Sequence, residues 1–202
     1  MRTDSERRPA RNRMVHSAGV LVRERGVHGV GLREIVAHAG GPRGSLQRYF
    51  PGGKTQLVTE ALDIAASDLA AHTDPELVEA RTLADAIAAV IAPWRQLLLD
   101  SDFTLGCPIA ATVVDASDND QLREKARTLL AQWQISVRDA LIRFGNPESS
   151  AADHASVLLA AIEGALILAR AQRSTQPLDA VQRFFTTSFT PTVRRPRAHR
   201  KA

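Results

Sequence analysis

Residues 40–55 read GGPRGSLQRYFPGGKT. Two phosphate chemistries compete for a stretch so rich in glycine and cationic side chains. A nucleotide-binding P-loop requires G-x-x-x-x-G-K-[ST] directly after a strand. Gly53, Lys54 and Thr55 supply the end of that pattern, but the first glycine is replaced by Arg48. Residues 43–50 also have a helical spacing where a strand should stand, so the nucleotide reading fails. The second chemistry is contact with a polyanionic polymer. Leu46 and Phe50, four apart, can face a core while Arg43, Gln47 and Arg48 face outward or flank that face. Arginine grips guanine O6/N7 and glutamine pairs with adenine N6/N7. Gly44 lets backbone approach DNA, the Tyr49 hydroxyl can donate to a phosphate, and Lys54 opens a helix whose N-terminal N–H groups already favour anions.

These side chains need a scaffold. Two short helices joined by a glycine-containing turn place the second helix in the major groove. The apolar spacing predicts helix over 7–25 and again over 32–39, where Leu32, Ile35 and Val36 are buried. Gly40 closes that helix in the left-handed region. A third helix is expected over 43–50, stopped by Pro51, Gly52 and Gly53. A fourth follows over 54–71. Longer helices are expected near 76–100, 107–116, 119–144, 149–173 and 178–189. No run alternates with period two, so the fold class is all-α. An N-terminal three-helix helix-turn-helix unit (1–56), expected to bind DNA, is joined by the fourth helix to a larger C-terminal helical body (72–190). A basic tail, 191–202, is expected to be disordered.

Charge supports this division. Residues 1–56 carry 11 Lys and Arg against 4 Asp and Glu, whereas 57–192 carry 10 against 18. A basic head on an acidic body suits a head that meets a polyanion. A single cysteine, Cys107, excludes an intrachain disulfide and fits a reducing compartment. The first 13 residues are polar and arginine-rich, unlike a signal peptide. The longest apolar run, 157–169, is broken by Glu163 and is too short to span a bilayer. A cytoplasmic protein with no membrane contact is expected. The six histidines are scattered and no Ser-His-Asp set can be argued from spacing, so no metal, no cofactor and no enzyme activity are expected.

Residues 31–62, GLREIVAHAGGPRGSLQRYFPGGKTQLVTEAL, resemble the DNA-binding domain of the tetracycline-repressor (TetR) family. Ile35, Ala39, Gly40, Arg43, Gly44, Ser45, Leu46, Tyr49, Phe50 and Lys54 match its pattern. GCPIAA (106–111) and EGALILARAQRSTQPLD (163–179) resemble the LmrA/YxaF subgroup, as does the PGGK linker, one residue longer than usual. Three positions depart: Gln47 and Arg48 stand where an aromatic and a His are common, and Gly31 stands where a Thr commonly caps the second helix. The candidate DNA-binding set is Gly31, Arg33, Pro42, Arg43, Gly44, Ser45, Gln47, Arg48, Tyr49 and Lys54.

The body supplies the remaining expectations. Residues 155–169 are apolar on almost every face and need cover from more than one side. A second copy of the chain gives that cover, with Ala160, Ala161, Gly164 and Ala165 permitting close approach. Leu178, Val181, Phe184, Phe185 and Phe189 follow on the next helix. The resemblance implies a homodimer through these last two long helices, and two-fold symmetry implies a double-stranded, pseudo-palindromic operator. It also implies a repressor released by a small apolar or drug-like effector. Candidate pocket residues are Trp94, Leu98, Phe103, Cys107, Ile109, Val113, Trp133, Ile162 and Glu163. Glu163 could meet a ligand or pair with Arg170 or Arg138. Alternatives are an activator of the same fold, and a helical small-molecule carrier or enzyme without DNA function.

Overall fold

The computed structural model describes residues 9–42, 44, 46–116 and 118–188. Arg43, Ser45, Phe189, the N-terminal arm and the basic tail lie outside them. The described residues form nine α-helices and no strand: α1 (Ala10–Arg25), α2 (Leu32–His38), α3 (Leu46–Tyr49), α4 (Gly53–Glu79), α5 (Leu83–Asp100), α6 (Pro108–Asp115), α7 (Asp120–Arg143), α8 (Glu148–Gln172) and α9 (Gln176–Ser188).

Two apolar clusters organise them. The smaller holds Met14, Val15, Ala18 and Leu21 of α1, Ile35 and Val36 of α2, Phe50, and Leu57 and Ala61 of α4. It binds α1, α2 and α3 into one unit against the first half of α4. The larger runs from Val58 and Leu62 of α4 through α5, α6, α7 and α8 to Leu178 and Phe185 of α9. Helix α4 contributes to both clusters, so the two units share a rigid element.

The helix boundaries around Pro75 differ from expectation. Helix α4 does not end near 71 but runs through Pro75 to Glu79. An internal proline removes one hydrogen bond and crowds the carbonyl four residues back. That carbonyl belongs to Ala71, which is exposed, and burial of Thr73 and Leu77 on the opposite face holds the helix together. The real break comes at 80–82. There the Thr82 side chain accepts from the Asp85 N–H at 3.1 Å while Asp85 accepts from the Thr82 N–H at 2.9 Å. This reciprocal pair satisfies two donors that a helix start leaves open. Helix α3 is also shorter than expected: Gly44 lies in a turn before it and Phe50 follows it.

Helix α8 is longer than the apolar run within it. Over its full 25 residues it is long and apolar enough to cross a membrane by length and composition. In this fold it packs against α5, α7 and α9.

Candidate DNA interface and effector cleft

The three-helix unit is held by contacts that leave Gln47 and Arg48 of α3 outward. Arg13 of α1 donates from Nε to the Ala39 carbonyl at 2.9 Å and from Nη2 to the Gly40 carbonyl at 3.3 Å. A cation thus satisfies the carbonyls at the negative end of α2. Gly40 adopts φ +58, as the turn requires, and Gly41 returns its N–H to the Val36 carbonyl at 3.0 Å. At the start of α2, Gly31 has no side chain to cap with, and its own N–H reaches Glu34 at 3.5 Å. Arg11 bonds Glu60 of α4 at 2.7 Å while its guanidinium sits 4.9 Å from the Phe50 ring centre. Phe50 is fully buried, so the C-terminal end of α3 is anchored in the core.

Of the expected DNA contacts, Gly31, Arg33, Pro42, Gly44, Gln47 and Arg48 are exposed, and Tyr49 and Lys54 are half-buried. Arg43 and Ser45 belong to the undescribed residues. The Arg48 guanidinium lies 5.2 Å from the Tyr49 ring centre, which restricts where it can point. Glu34, an acid within this surface, is bound to Arg25 at 2.7 Å, and that bond holds its carboxyl below the usual range. Arg33, Arg48 and Lys54 have no acidic partner within ion-pair distance among the described residues. Among the described residues, Arg33, Arg48 and Lys54 thus leave positive charge on and beside α3.

The body grips the head at the end of α1. Gly106 donates to the Arg23 carbonyl at 3.2 Å, and Arg170 of α8 donates to the Glu24 carbonyl at 3.2 Å. Asp115, the last residue of α6, accepts the His28 N–H, and its carboxylate fills the space a Cβ on Gly26 would need. Gly26 itself has φ +77. Asn119 donates to Thr55 of α4 at 3.0 Å, and Lys125 pairs with Asp63 of α4. None of these contacts has a local pattern that the sequence reading could use.

A cleft of about 110 Å³ opens between α4, α6 and α7. Its wall is formed by Ala66, Leu69, Thr73 and Leu77 of α4, Ile109 of α6, and Leu129, Trp133 and Val137 of α7. Of the nine residues expected to line a pocket, Ile109 and Trp133 border this cleft. Trp94 packs on Trp133 with ring centres 5.5 Å apart. Leu98 and Ile162 are fully buried core, and Phe103 is half-buried in a left-handed turn at φ +61. Val113 is 39% exposed and does not line this cleft. Thr73, Leu69 and Leu129 were not anticipated, since each has the spacing of an ordinary core position.

Glu163 pairs with neither Arg170 nor Arg138. Arg170 is directed to Glu24 and Arg138 to Asp139. Glu163 instead lies beside Cys107, with one carboxylate oxygen buried and unpartnered among the described residues. Burial raises the Glu163 carboxyl above its ordinary range, with a smaller opposing effect from Cys107. Burial, then the neighbouring Glu163, pushes the Cys107 thiol up, which makes it a poor nucleophile. Among the described residues no group of three or more His, Cys, Asp or Glu is placed to hold a metal ion.

Comparison with known proteins agrees with this architecture. Residues 15–61 match the family described as bacterial regulatory proteins, tetR family. Residues 84–184 match the C-terminal domain of LmrA/YxaF-like transcriptional regulators. The HTH-type transcriptional regulator Rv0196 of Mycobacterium tuberculosis is 41% identical over 86% of this chain and 90% of its own length. The HTH-type transcriptional regulator LmrA of Bacillus subtilis is 28% identical over 84% of this chain and 90% of its own. Among solved structures, a TetR transcriptional regulator from Legionella pneumophila superposes with a TM-score of 0.80 at 17% identity, covering 88% of this chain and 96% of that one. One from Chloroflexus aurantiacus gives 0.72 at 29% identity, covering 88% and 92%. The chain is therefore a member of the TetR family of helix-turn-helix transcriptional regulators, in the branch with an LmrA/YxaF-like C-terminal domain, and not an enzyme.

Proposed function

We propose that this regulator is a cytoplasmic homodimeric repressor that leaves its operator when a small apolar effector enters the body. The observation that carries the DNA reading is the exposed, acid-free surface of α3 and the α4 start, anchored from behind by Phe50. Gln47 and Arg48 read base edges, together with Arg43, Gly44 and Ser45 before them. Tyr49, Lys54, Arg33 and the N-terminal arginines meet phosphates, with Gly31 and Pro42 at the rim. In this reading residues 1–56 are the DNA-binding domain and 72–190 the ligand-binding and dimerisation domain.

An apolar surface supports α8 and α9 as the dimer interface. Val157 is 55% exposed, Ile167 71%, Leu168 52%, and Phe184 on α9 58%. Ala160 and Gly164 lie between them on the exposed face of α8, and a Cβ on Gly164 would meet nothing within 4 Å. A contiguous apolar stripe with small residues at its centre is suited to close approach of a second copy. The two-fold axis then sets two α3 helices against a pseudo-palindromic operator.

The cleft is joined to the head by α4, which lines it and enters the head's core, and by the eight-residue α6. Ile109 at the start of α6 borders the cleft, and Asp115 at its end holds the loop after α1. An effector favours release only so far as it binds the released arrangement more tightly. The test is titration of the protein into the DNA upstream of its own gene at moderate salt. A shift beyond that of a scrambled control is expected, and its absence overturns the reading.

A further inference from the structure

Leu46 and Phe50 fix the inward direction of the α3 turn. Phe50 is fully buried, Leu46 packs on the same apolar cluster, and the Phe50 N–H donates to the Leu46 carbonyl at 2.8 Å. Successive side chains on a helix are turned by about 100°. Arg48, two places from each, therefore points away from the core, with Gln47 on one flank and Tyr49 on the other. Burial agrees, since Gln47 and Arg48 are exposed and Tyr49 is half-buried.

The Tyr49 ring is held in place. It packs against the apolar cluster of the head and meets the Phe50 ring edge-on, with centres 6.5 Å apart and planes at 67°. The Arg48 guanidinium lies 5.2 Å from the centre of that ring, within the range of cation–π attraction. A guanidinium that lays its face on a ring keeps its edge N–H donors free, and those donors are the ones that grip guanine O6 and N7. An exposed arginine otherwise loses side-chain freedom when it binds. The ring removes part of that loss before DNA arrives.

We propose that Tyr49 is a positioning residue for base recognition: its ring holds Arg48 so that the guanidinium donates to O6 and N7 of one guanine in each half-site. This rests on the reading of α3 as the helix that meets base edges. It adds the base that Arg48 reads and a task for the Tyr49 ring separate from any phosphate contact of the hydroxyl. The full chain is used as wild type, Arg48→Ala, Tyr49→Phe, and the two ring-free variants Tyr49→Leu and Tyr49→Met, whose side chains can fill the same apolar place. Selection from a random DNA pool by the wild type and Arg48→Ala identifies the position that depends on Arg48. The selected duplex, and copies with single pairs changed at that position and at the others, are then titrated by fluorescence anisotropy. The wild type should prefer G·C over A·T at the Arg48 position by about 5- to 150-fold, the range of one bidentate arginine–guanine pair. Tyr49→Leu and Tyr49→Met should lower that ratio by about two- to fivefold, the scale of one exposed cation–π contact, and leave the ratios at the other positions unchanged. Tyr49→Phe keeps the ring and should keep the ratio, any lost phosphate contact weakening all duplexes alike.

A base pair other than G·C at the Arg48 position overturns the assignment. An unchanged ratio in both ring-free variants does so too, as does an equal fall in Tyr49→Phe. A fall at every position in both ring-free variants marks Tyr49 as a support of the head alone and overturns the positioning role. If the wild type and Arg48→Ala select the same sequence, this inference falls and the regulator reading stands. Selection of no sequence by the wild type overturns both.

Discussion

Replacing Ile167 by Asp should split the dimer without unfolding the chain. Ile167 lies on the outer face of α8 with Ala160, Gly164 and Leu168 and is 71% exposed in the single chain. Burying a whole isoleucine side chain is favourable by about 2 kcal/mol, so the exposed 71% corresponds to about 1.4 kcal/mol per copy. A symmetric interface contains the residue twice, which gives about 3 kcal/mol. Two carboxylates buried in the interface, one from each copy, add a desolvation cost. The dimer dissociation constant should therefore rise by at least about 100-fold. Sedimentation over a concentration series measures it, and far-UV circular dichroism checks that the helices persist. The change lies on solvent in the monomer, so the helical signal should be intact. An Ile167→Asp chain that is folded and dimerises within about threefold of wild type would refute the placement of the interface on this face.

Three further outcomes follow from the same contacts. Gly26→Ala forces a side chain into φ +77 and places its Cβ 2.7 Å from the Asp115 carboxylate; a loss of about 1–2 kcal/mol, read as a fall in Tm, should accompany weaker operator binding as the clasp opens. Glu163→Gln should change the pH dependence of stability. The folded carboxyl has a raised pKa, so between the unfolded and folded values the folded state holds the extra proton, and wild-type stability falls as pH rises through that window. The variant should lack that fall, and denaturant midpoints taken from acid to neutral pH will show whether it does. Lys54→Ala should reduce the slope of log affinity against log salt by about 0.9 for each phosphate contact removed, in filter binding across a salt series, with base preference unchanged.

Much of the fold was legible because helix starts and stops carry local signals. Gly26, Gly40 and the 145–150 turn ended helices where expected, and the Leu46/Phe50 spacing correctly gave Phe50 to the core. Pro75 misled, since a proline signals a break only when no packing compensates; Thr73 and Leu77 on the buried face supply that packing. The Thr82/Asp85 pair is a local signature of the true break and could have been found. The cleft was harder to read. Thr73, Leu69 and Leu129 differ from core residues only through what lies opposite them on other helices. The clasp of Asp115 on the loop after α1 spans 87 positions and leaves no periodic trace. Glu163 was singled out correctly as the anomaly of α8, but its neighbour, Cys107, comes from a segment 56 positions earlier, out of reach of any spacing rule.

The most direct test of α3 as the reading helix is selection of binding sites from a random DNA pool by the wild type, Gln47→Ala and Arg48→Ala. Both side chains are exposed and leave the Phe50 anchor untouched. The wild type should enrich a pseudo-palindrome, and each variant should lose preference at one position in each half-site, by about 1–3 kcal/mol. Enrichment of the same sequence to the same degree by all three proteins would contradict the account.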